Sequence, residues 1–319
     1  IYTRIKYICE QEEKMKRLKT IYKKLFSLTI CLLLITNNLF CQKFRYTENT
    51  ELGVLAGGSY YLGDLNTLHF NQTLPFAGLV IRKNIDRRIS YKAQALLINL
   101  QSDERNSTDT FALNRGLHFS NNAFEENGSP LYELSGQIEF NFLPFQSGNV
   151  LYTWTPFLYT GVSIFHFNPK AENKNGEWIS LQPLGTEGQG TTYSFDGEVR
   201  EKYSLIQISI PMGGGIKYAV NEYFNIILEY SVRKTFTDYL DDVSKTYPGK
   251  NTIGAEEYPL DMSQQAIEMS DPKGTHFLDE QRGNPNKKDW YAFAGITLSF
   301  KLNSKNKECV ERNKSWTEY

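Results

Sequence analysis

The sequence predicts an all-β protein: an eight-stranded antiparallel transmembrane outer-membrane β-barrel with long extracellular loops and short periplasmic turns. Three observations carry that prediction. The chain opens with an export signal, its body holds eight segments of period-two alternation, and the connections between them are short and long in strict turn.

The chain starts at Ile1 without a methionine, so residues 1–14 read as upstream sequence outside the native protein. From Met15 it runs "MKRLKTIYKKLFSLTICLLLITNNLFCQ". A basic start (Lys16, Arg17, Lys19, Lys23, Lys24) leads to an apolar run near Leu25–Ile35 and then a polar break, the pattern of a secretory signal peptide over 15–41. The apolar run falls short of the roughly 20 residues of a permanent helical anchor. Cys41 raises the alternative of an acylated N-terminus, but Phe40 is bulky where a lipobox wants a small residue, so cleavage before Gln42 is expected. The barrel is then placed over 42–302 and a polar periplasmic tail over 303–319.

Composition narrows the class. The first 41 residues carry 8 of the 35 Lys/Arg and 3 of the 36 Asp/Glu, so the exported part is net −6 and has no electrostatic reason to bind nucleic acid. Only Cys309 remains beyond the signal, which excludes a disulfide framework and a cysteine-rich metal site. Tyr and Phe number 20 each, and nothing after the signal approaches a transmembrane helix in length. An aromatic-rich exported chain of this kind suits barrel strands of about 10 residues with alternating sides.

The first segment, "ELGVLAGGSYYLG", puts Leu52, Val54, Ala56 and Tyr60 on one face; the second puts Ala77, Leu79 and Ile81 opposite Arg82. The third sets Ile89, Tyr91, Ala93, Ala95 and Leu97 against Lys92 and Gln94. In the fourth, Tyr132, Leu134, Ile138, Phe140 and Phe142 oppose Glu133, Ser135, Gln137, Glu139 and Asn141. Both faces of the fifth are apolar or aromatic, with Leu158, Val162 and Ile164 expected outside. The sixth sets Ile206, Ile208, Ile210, Met212, Ile216 and Tyr218 against Gln207, Ser209 and Lys217, with Pro211 and Gly213–Gly215 suited to a bulge or tight curvature. The seventh sets Phe224, Ile226, Leu228, Tyr230 and Val232 against Asn225, Glu229, Ser231 and Arg233; the last sets Ile296, Leu298 and Phe300 against Thr297, Ser299 and Lys301.

Alternation alone fits a soluble sandwich as well as a barrel, so the connections decide. The short ones are Asp86, Arg87, Arg88; Gln146, Ser147, Gly148, Asn149; and Asn221, Glu222, Tyr223. The long ones span about Leu62–Leu74, Gln101–Pro130, Pro169–Tyr203 and Thr235–Asp289. A sandwich has no reason to keep every odd-numbered connection long. The inward faces then bring Glu51, Glu133, Glu139 and Glu229 toward Arg82, Lys92, Lys217, Arg233 and Lys301. An eight-stranded barrel is just wide enough to be filled by side chains, and buried charges must be paired, so an ionic plug is expected rather than an open pore.

Candidate chemistry is sparse. Asp238, Asp241 and Asp242 could offer hard oxygen ligands to Ca²⁺, but "DYLDD" lacks the spaced ligands and glycine of a Ca²⁺ loop. The plainer expectation is that Asp238 caps a turn or short helix while the other two are solvated or meet a basic residue of another loop. Lys234, Phe236 and Tyr239 are expected at the membrane interface. "LQPLGTEGQGTTY" over 181–193 has no Gly-Lys-Ser/Thr and reads as a structured glycine-rich loop, not a phosphate cradle. His69, His118, His166 and His276 are scattered, and Ser163 and His166 fall on opposite faces of a strand, so no catalytic residue and no cofactor is expected.

Six motifs in order, "LGVLAGGSYYLGDLN", "PFLYTGVSIFHFNPKA", "LQPLGTEGQG", "IPMGGGIKYAV", "RKTFTDYLDDVS" and "QRGNPNKKDWYAFAGITLSF", resemble the PorG-type outer-membrane barrels of Bacteroidetes over about residues 50–302. The resemblance implies a non-enzymatic component of the type IX (Por) secretion system, linked to gliding motility. It also implies as partners the periplasmic ring lipoprotein PorK and its partner PorN; the short turns and the tail are the parts of this chain expected to meet that ring from below. Two alternatives remain open: a narrow channel or small-ligand barrel unrelated to secretion, and a lipid-modifying outer-membrane enzyme.

Overall fold

The structure, a computed structural model, describes residues 48–105, 107–125, 127–192, 194–195, 198–249, 258–259 and 261–302. These lie in the compact unit Glu48–Tyr319. The expected upstream segment 1–14, the signal 15–41 with Cys41, and the tail 303–319 lie outside the described residues.

Eight long strands close a barrel: β1 (Asn49–Leu62), β2 (Leu74–Asn84), β3 (Ile89–Ile98), β6 (Leu131–Asn141), β7 (Trp154–His166), β12 (Ile206–Ala219), β13 (Phe224–Thr235) and β14 (Trp290–Leu302). Every neighbouring pair is antiparallel, and β1 joins β14 to complete the ring. Closure satisfies the backbone donors and acceptors internally, which is what permits strands to cross lipid. Each strand has 10 to 14 residues, enough for a tilted crossing.

Alternation sets the two faces. In β6 the outward Tyr132, Leu134, Ile138 and Phe140 are exposed, while Glu133, Ser135, Gln137 and Glu139 are buried. Leu52, Val54, Leu79, Ile81, Leu158, Val162, Ile164, Leu228, Ile296 and Leu298 continue the exposed apolar band around the barrel. An apolar surface that encircles the molecule, around a polar interior, needs a hydrocarbon solvent. None of the described helices is long and apolar enough to cross a membrane; the strands cross it.

Three sequence expectations shift. Strand β6 ends at Asn141 and β7 begins at Trp154, so Phe142 lies in the connection and that turn is wider than Gln146–Asn149. No bulge forms at Pro211: the β12 pairing with β7 keeps one register from Ser209↔Ser163 to Met212↔Thr160. Proline simply lacks the N–H of a ladder bond. Gly213 instead accommodates an inward ring, since a Cβ there would lie 2.6 Å from the Tyr159 hydroxyl. Tyr60 keeps the outward parity of Val54, but a loop covers it completely.

The long connections fold into a cap. Strands β4 (Leu100–Asp103), β5 (His118–Asn121), β8 (Lys170–Glu172) and β9 (Trp178–Ser180) form a four-stranded sheet drawn from the second and third loops. A two-residue pair, β10 (Ser194–Phe195) with β11 (Glu198–Val199), lies further along the third loop. Helix α1 (Thr110–Arg115) starts on an Asp109 cap and stops at Gly116 with φ 60°; helix α2 (Gln264–Ser270) starts on Ser263. Inward strand residues Leu55, Val80, Leu96, Phe165 and Phe293 share one apolar cluster with loop residues Leu65, Leu117, Phe119, Leu181, Leu240 and Met269. The cap is therefore a hydrophobic continuation of the upper lumen.

Candidate functional site: a filled lumen beneath a folded cap

The lumen is filled by side chains that alternation points inward. Glu139 is its hub: Arg82 Nε lies 2.7 Å away, Lys217 Nζ 2.6 Å and Lys92 Nζ 3.2 Å. Arg82 also reaches Glu51 at 3.2 Å, and Glu51 accepts from Asn84 at 2.7 Å and Ser299 at 2.6 Å. Lys92 bridges to Glu229 at 3.0 Å and sits 3.6 Å over the Tyr159 ring. Gln94 donates to Glu229 and accepts from Arg233, whose guanidinium pairs with Glu133 at 3.1 Å and lies 4.0 Å over the Phe293 ring. Tyr291 completes Glu133 by donating at 2.7 Å.

Four carboxylates thus meet four cations, and none of the eight is more than 4% exposed. The balance matters because an unpaired charge in this setting is very costly. Lys301 stands apart from this array: it lies opposite Glu51 in register, is partly exposed at the barrel end, and makes no ion pair with the array among the described residues.

At the same end the short turns are tied together. Asp86 accepts the backbone N–H groups of Arg88 and Ile89, fixing the first turn. Arg87 donates to Gln146 at 3.1 Å and stacks over Tyr152, and Arg88 donates to the Phe142 carbonyl at 2.7 Å. Ser147 donates to Asn225 at 2.9 Å; a Cβ on Gly148, whose φ is 83°, would meet Glu222. Asn221 caps the third turn by accepting from Tyr223 and Phe224. The structure brings the first two turns together through Arg87 and Arg88, and joins the second to the foot of β13 through Ser147.

The three aspartates of the fourth loop are buried within the cap, not solvated on a rim. Asp242 accepts from Tyr203 at 2.7 Å and from Thr186, with the Arg282 guanidinium 3.8 Å away. Burial pushes its carboxyl up to about 6, against the pull of Arg282. Burial likewise raises Asp238 to about 6; its carboxylate accepts from Ser244 at 2.7 Å, rather than serving as a helix cap. Asp241 and Asp289 converge on one phenol, Tyr61, at 2.5 and 2.7 Å, while the Asp64 N–H donates to the same oxygen. A phenol has one proton to give, so it serves one carboxylate while the other reaches it as an acid. Burial holds both carboxyls well above their ordinary range, and for Asp289 the Asp241 charge adds to it.

No group of three His, Cys, Asp or Glu side chains among the described residues is arranged to hold a metal ion. The aspartates point to separate donors. Tyr239 leaves the expected interface to stack on Tyr203 at 4.7 Å, whereas Lys234 and Phe236 stay exposed.

Sequence reasoning missed the partners that organise this cluster. Glu187 sits at the centre of the glycine-rich loop, between residues with positive φ at Gly185 and Gly188. It accepts from the Ser244 and Lys245 amides and pairs with Arg282 at 3.1 Å. Arg282 donates in turn to the Asp242 carbonyl at 2.5 Å. A buried Glu among glycines signals backbone turning around a carboxylate, but its distant partners have no signature in spacing. The histidines stay apart: His276 is held by Asp271 at 2.9 Å and stacks on Tyr247, and His166 lies beside Tyr132 on the outer face while Ser163 bonds Ser209 inside.

A closed eight-stranded barrel with an apolar belt, a charge-paired interior and a folded cap is an outer-membrane β-barrel, and the outer membrane is its location. Residues 23–178 match the family model described as "Domain of unknown function (DUF6089)". No curated protein matches the chain. Among solved structures, Neisserial surface protein A is similar at 9% identity and TM-score 0.37, covering 81% of this chain and 100% of that one. The outer membrane protein OprG from Pseudomonas aeruginosa is similar at 10% identity and TM-score 0.33, covering 81% and 96%. The attachment invasion locus protein Ail of Yersinia pestis, in complex with sucrose octasulfate, is similar at 7% identity and TM-score 0.34, covering 80% and 97%.

Proposed function

We propose that the protein is a non-enzymatic component of the type IX protein secretion system of Bacteroidetes, the machine linked to gliding motility. In that role it anchors or organises the periplasmic ring through contacts with PorK and PorN. The observation that carries the reading is the filled lumen: eight paired charges occupy the barrel and an apolar cap covers the upper end. A barrel filled on both levels offers surfaces rather than a path. The linked short turns supply a firm periplasmic face, and the six motifs resembling PorG-type barrels point to the ring as what meets it.

The test is affinity purification from native outer membrane after replacing 86–88, 146–149 and 221–223 with neutral turns, with heat-modifiable gel mobility as a check that each variant folds. Loss of PorK and PorN from the eluate is expected. Unchanged recovery of both would overturn the reading, as would a steady conductance of the wild-type protein in planar bilayers.

A further inference from the structure

The first extracellular loop, residues 63–73, does not stand up from the barrel. Tyr60 on β1 and Tyr230 on β13 both carry outward parity, and they flank β14, where Ala292 and Ala294 stand opposite them in register. Their hydroxyls meet at 2.7 Å across those small residues, and His69 Nδ1 lies 2.9 Å from the Tyr60 oxygen. The Phe70 ring packs at a tilt, 4.9 Å from the Tyr60 ring and 6.1 Å from the Tyr230 ring. The loop is thus fastened to the lipid-facing side of the sheet.

Its shape is specified from within. Asn66 donates to the Tyr61 and Leu68 carbonyls and accepts from Leu68 N–H and Asn71, and Thr73 closes back on the Phe70 carbonyl at 2.8 Å. Gly58 leaves room for the returning arm, since a Cβ there would lie 2.6 Å from the Thr73 methyl. Phe70 and Gln72 take φ of 60° and 50°, a conformation that a bulky residue adopts only when its surroundings demand it. The outcome of this strained, braced loop is the display of two large apolar side chains: Leu68 is 65% exposed and Phe70 59%.

We propose that Leu68 and Phe70 form a wedge seated in the acyl chains of the outer leaflet, so that the first loop is a membrane-binding element rather than a solvent-facing one. Continuity fixes the occupant. Phe70 packs on tyrosines in the same outward rows as Val54 and Leu228, residues of the apolar belt, and Leu68 stands exposed two residues before it. Two residues beyond Tyr60, Leu62 pairs with Trp290 and Trp290 with Lys234, an aromatic and a base of the kinds favoured at the headgroup level of a membrane interface.

The test uses the full-length protein in phosphatidylcholine vesicles brominated on the acyl chains, with Leu68→Trp, Phe70→Trp and, as a control, Phe124→Trp on the second loop, itself 74% exposed. Wild-type emission is subtracted from each. At 68 and 70 the added tryptophan is expected to emit to the blue, lose intensity on brominated lipid and resist aqueous iodide, while that at 124 behaves oppositely. Leu68→Trp leaves the strained Phe70 backbone untouched, so a misfolded Phe70→Trp alone would not blunt the test. Iodide quenching at 68 equal to that at 124 would overturn the proposal. Shielding from both quenchers would overturn it too, by assigning the wedge to a protein contact such as a second copy of the chain.

Discussion

Glu139→Gln is the sharpest test of how the barrel holds itself closed. The substitution keeps the size of the side chain but removes a charge that faces three cations, Arg82, Lys217 and Lys92, at 2.7, 2.6 and 3.2 Å. Glu51 and Glu229 remain, so that part of the array becomes net positive by one in a setting without exposure to water. Breaking a buried pair from one side costs about 3–5 kcal/mol, because the partner charge stays buried and uncompensated. Lys83, paired with Glu48 at 3.4 Å, provides the contrast: its side chain is 55% exposed, and Lys83→Ala should move stability by at most about 1 kcal/mol. Adding Lys217→Met to Glu139→Gln restores the count of charges, so the double variant should be more stable than the two single effects summed. The measurement is denaturant unfolding in lipid vesicles, followed by tryptophan emission and by heat-modifiable gel mobility. A Glu139→Gln protein within about 1 kcal/mol of wild type, or strict additivity in the double variant, would refute the charge-paired plug as a source of stability.

The cap should respond to pH in a defined direction. Unfolded Asp242 titrates near 3.8 and the folded group near about 6, so its contribution is fully present below the lower value and is lost as pH rises through the upper one. Amide exchange in residues 236–249 should therefore quicken between about pH 4 and pH 6 and level off above that, while the barrel strands stay protected; a rate following only the intrinsic base dependence of exchange would contradict this. Arg282→Met strands Glu187 and Asp242 together, and should expose the segments 181–192 and 236–249 to protease in intact outer-membrane vesicles without loss of the folded barrel band. Gly213→Ala would place a Cβ 2.5 Å from the Tyr230 carbonyl and 2.6 Å from the Tyr159 hydroxyl, and should cost about 1–3 kcal/mol in the same unfolding assay.

The barrel was legible in sequence because its information is local. A strand shows both faces to anyone counting by two, so Glu133, Gln137 and Glu139 could be assigned inward without knowing which strand lies across from them. Turn lengths then ordered the strands. What alternation could not supply was the pairing within the lumen. Lys92 reaches Glu229 from a strand 137 positions away, and that contact depends on register and closure rather than on either local pattern. The bulge expected at Pro211 failed for a related reason: its missing N–H suited an insertion or tight curvature, yet the pairing with both neighbouring strands runs on without a shift of register.

The loops show the same divide more strongly. Acidic spacing in "DYLDDVS" suggested a rim exposed to water, because nothing local announces that Tyr61, Thr186, Tyr203 and Arg282 will close over it. By itself the sequence determined the class of the protein: exported, eight strands, apolar outward and charged inward, with long connections on one side. Only the tertiary structure decided that those connections form a cored cap, that the aspartates share protons and donors inside it, and that the first loop lies against the lipid face. The physical reason is that strand faces follow from a two-residue period, whereas a buried charge is defined by partners brought from elsewhere in the chain.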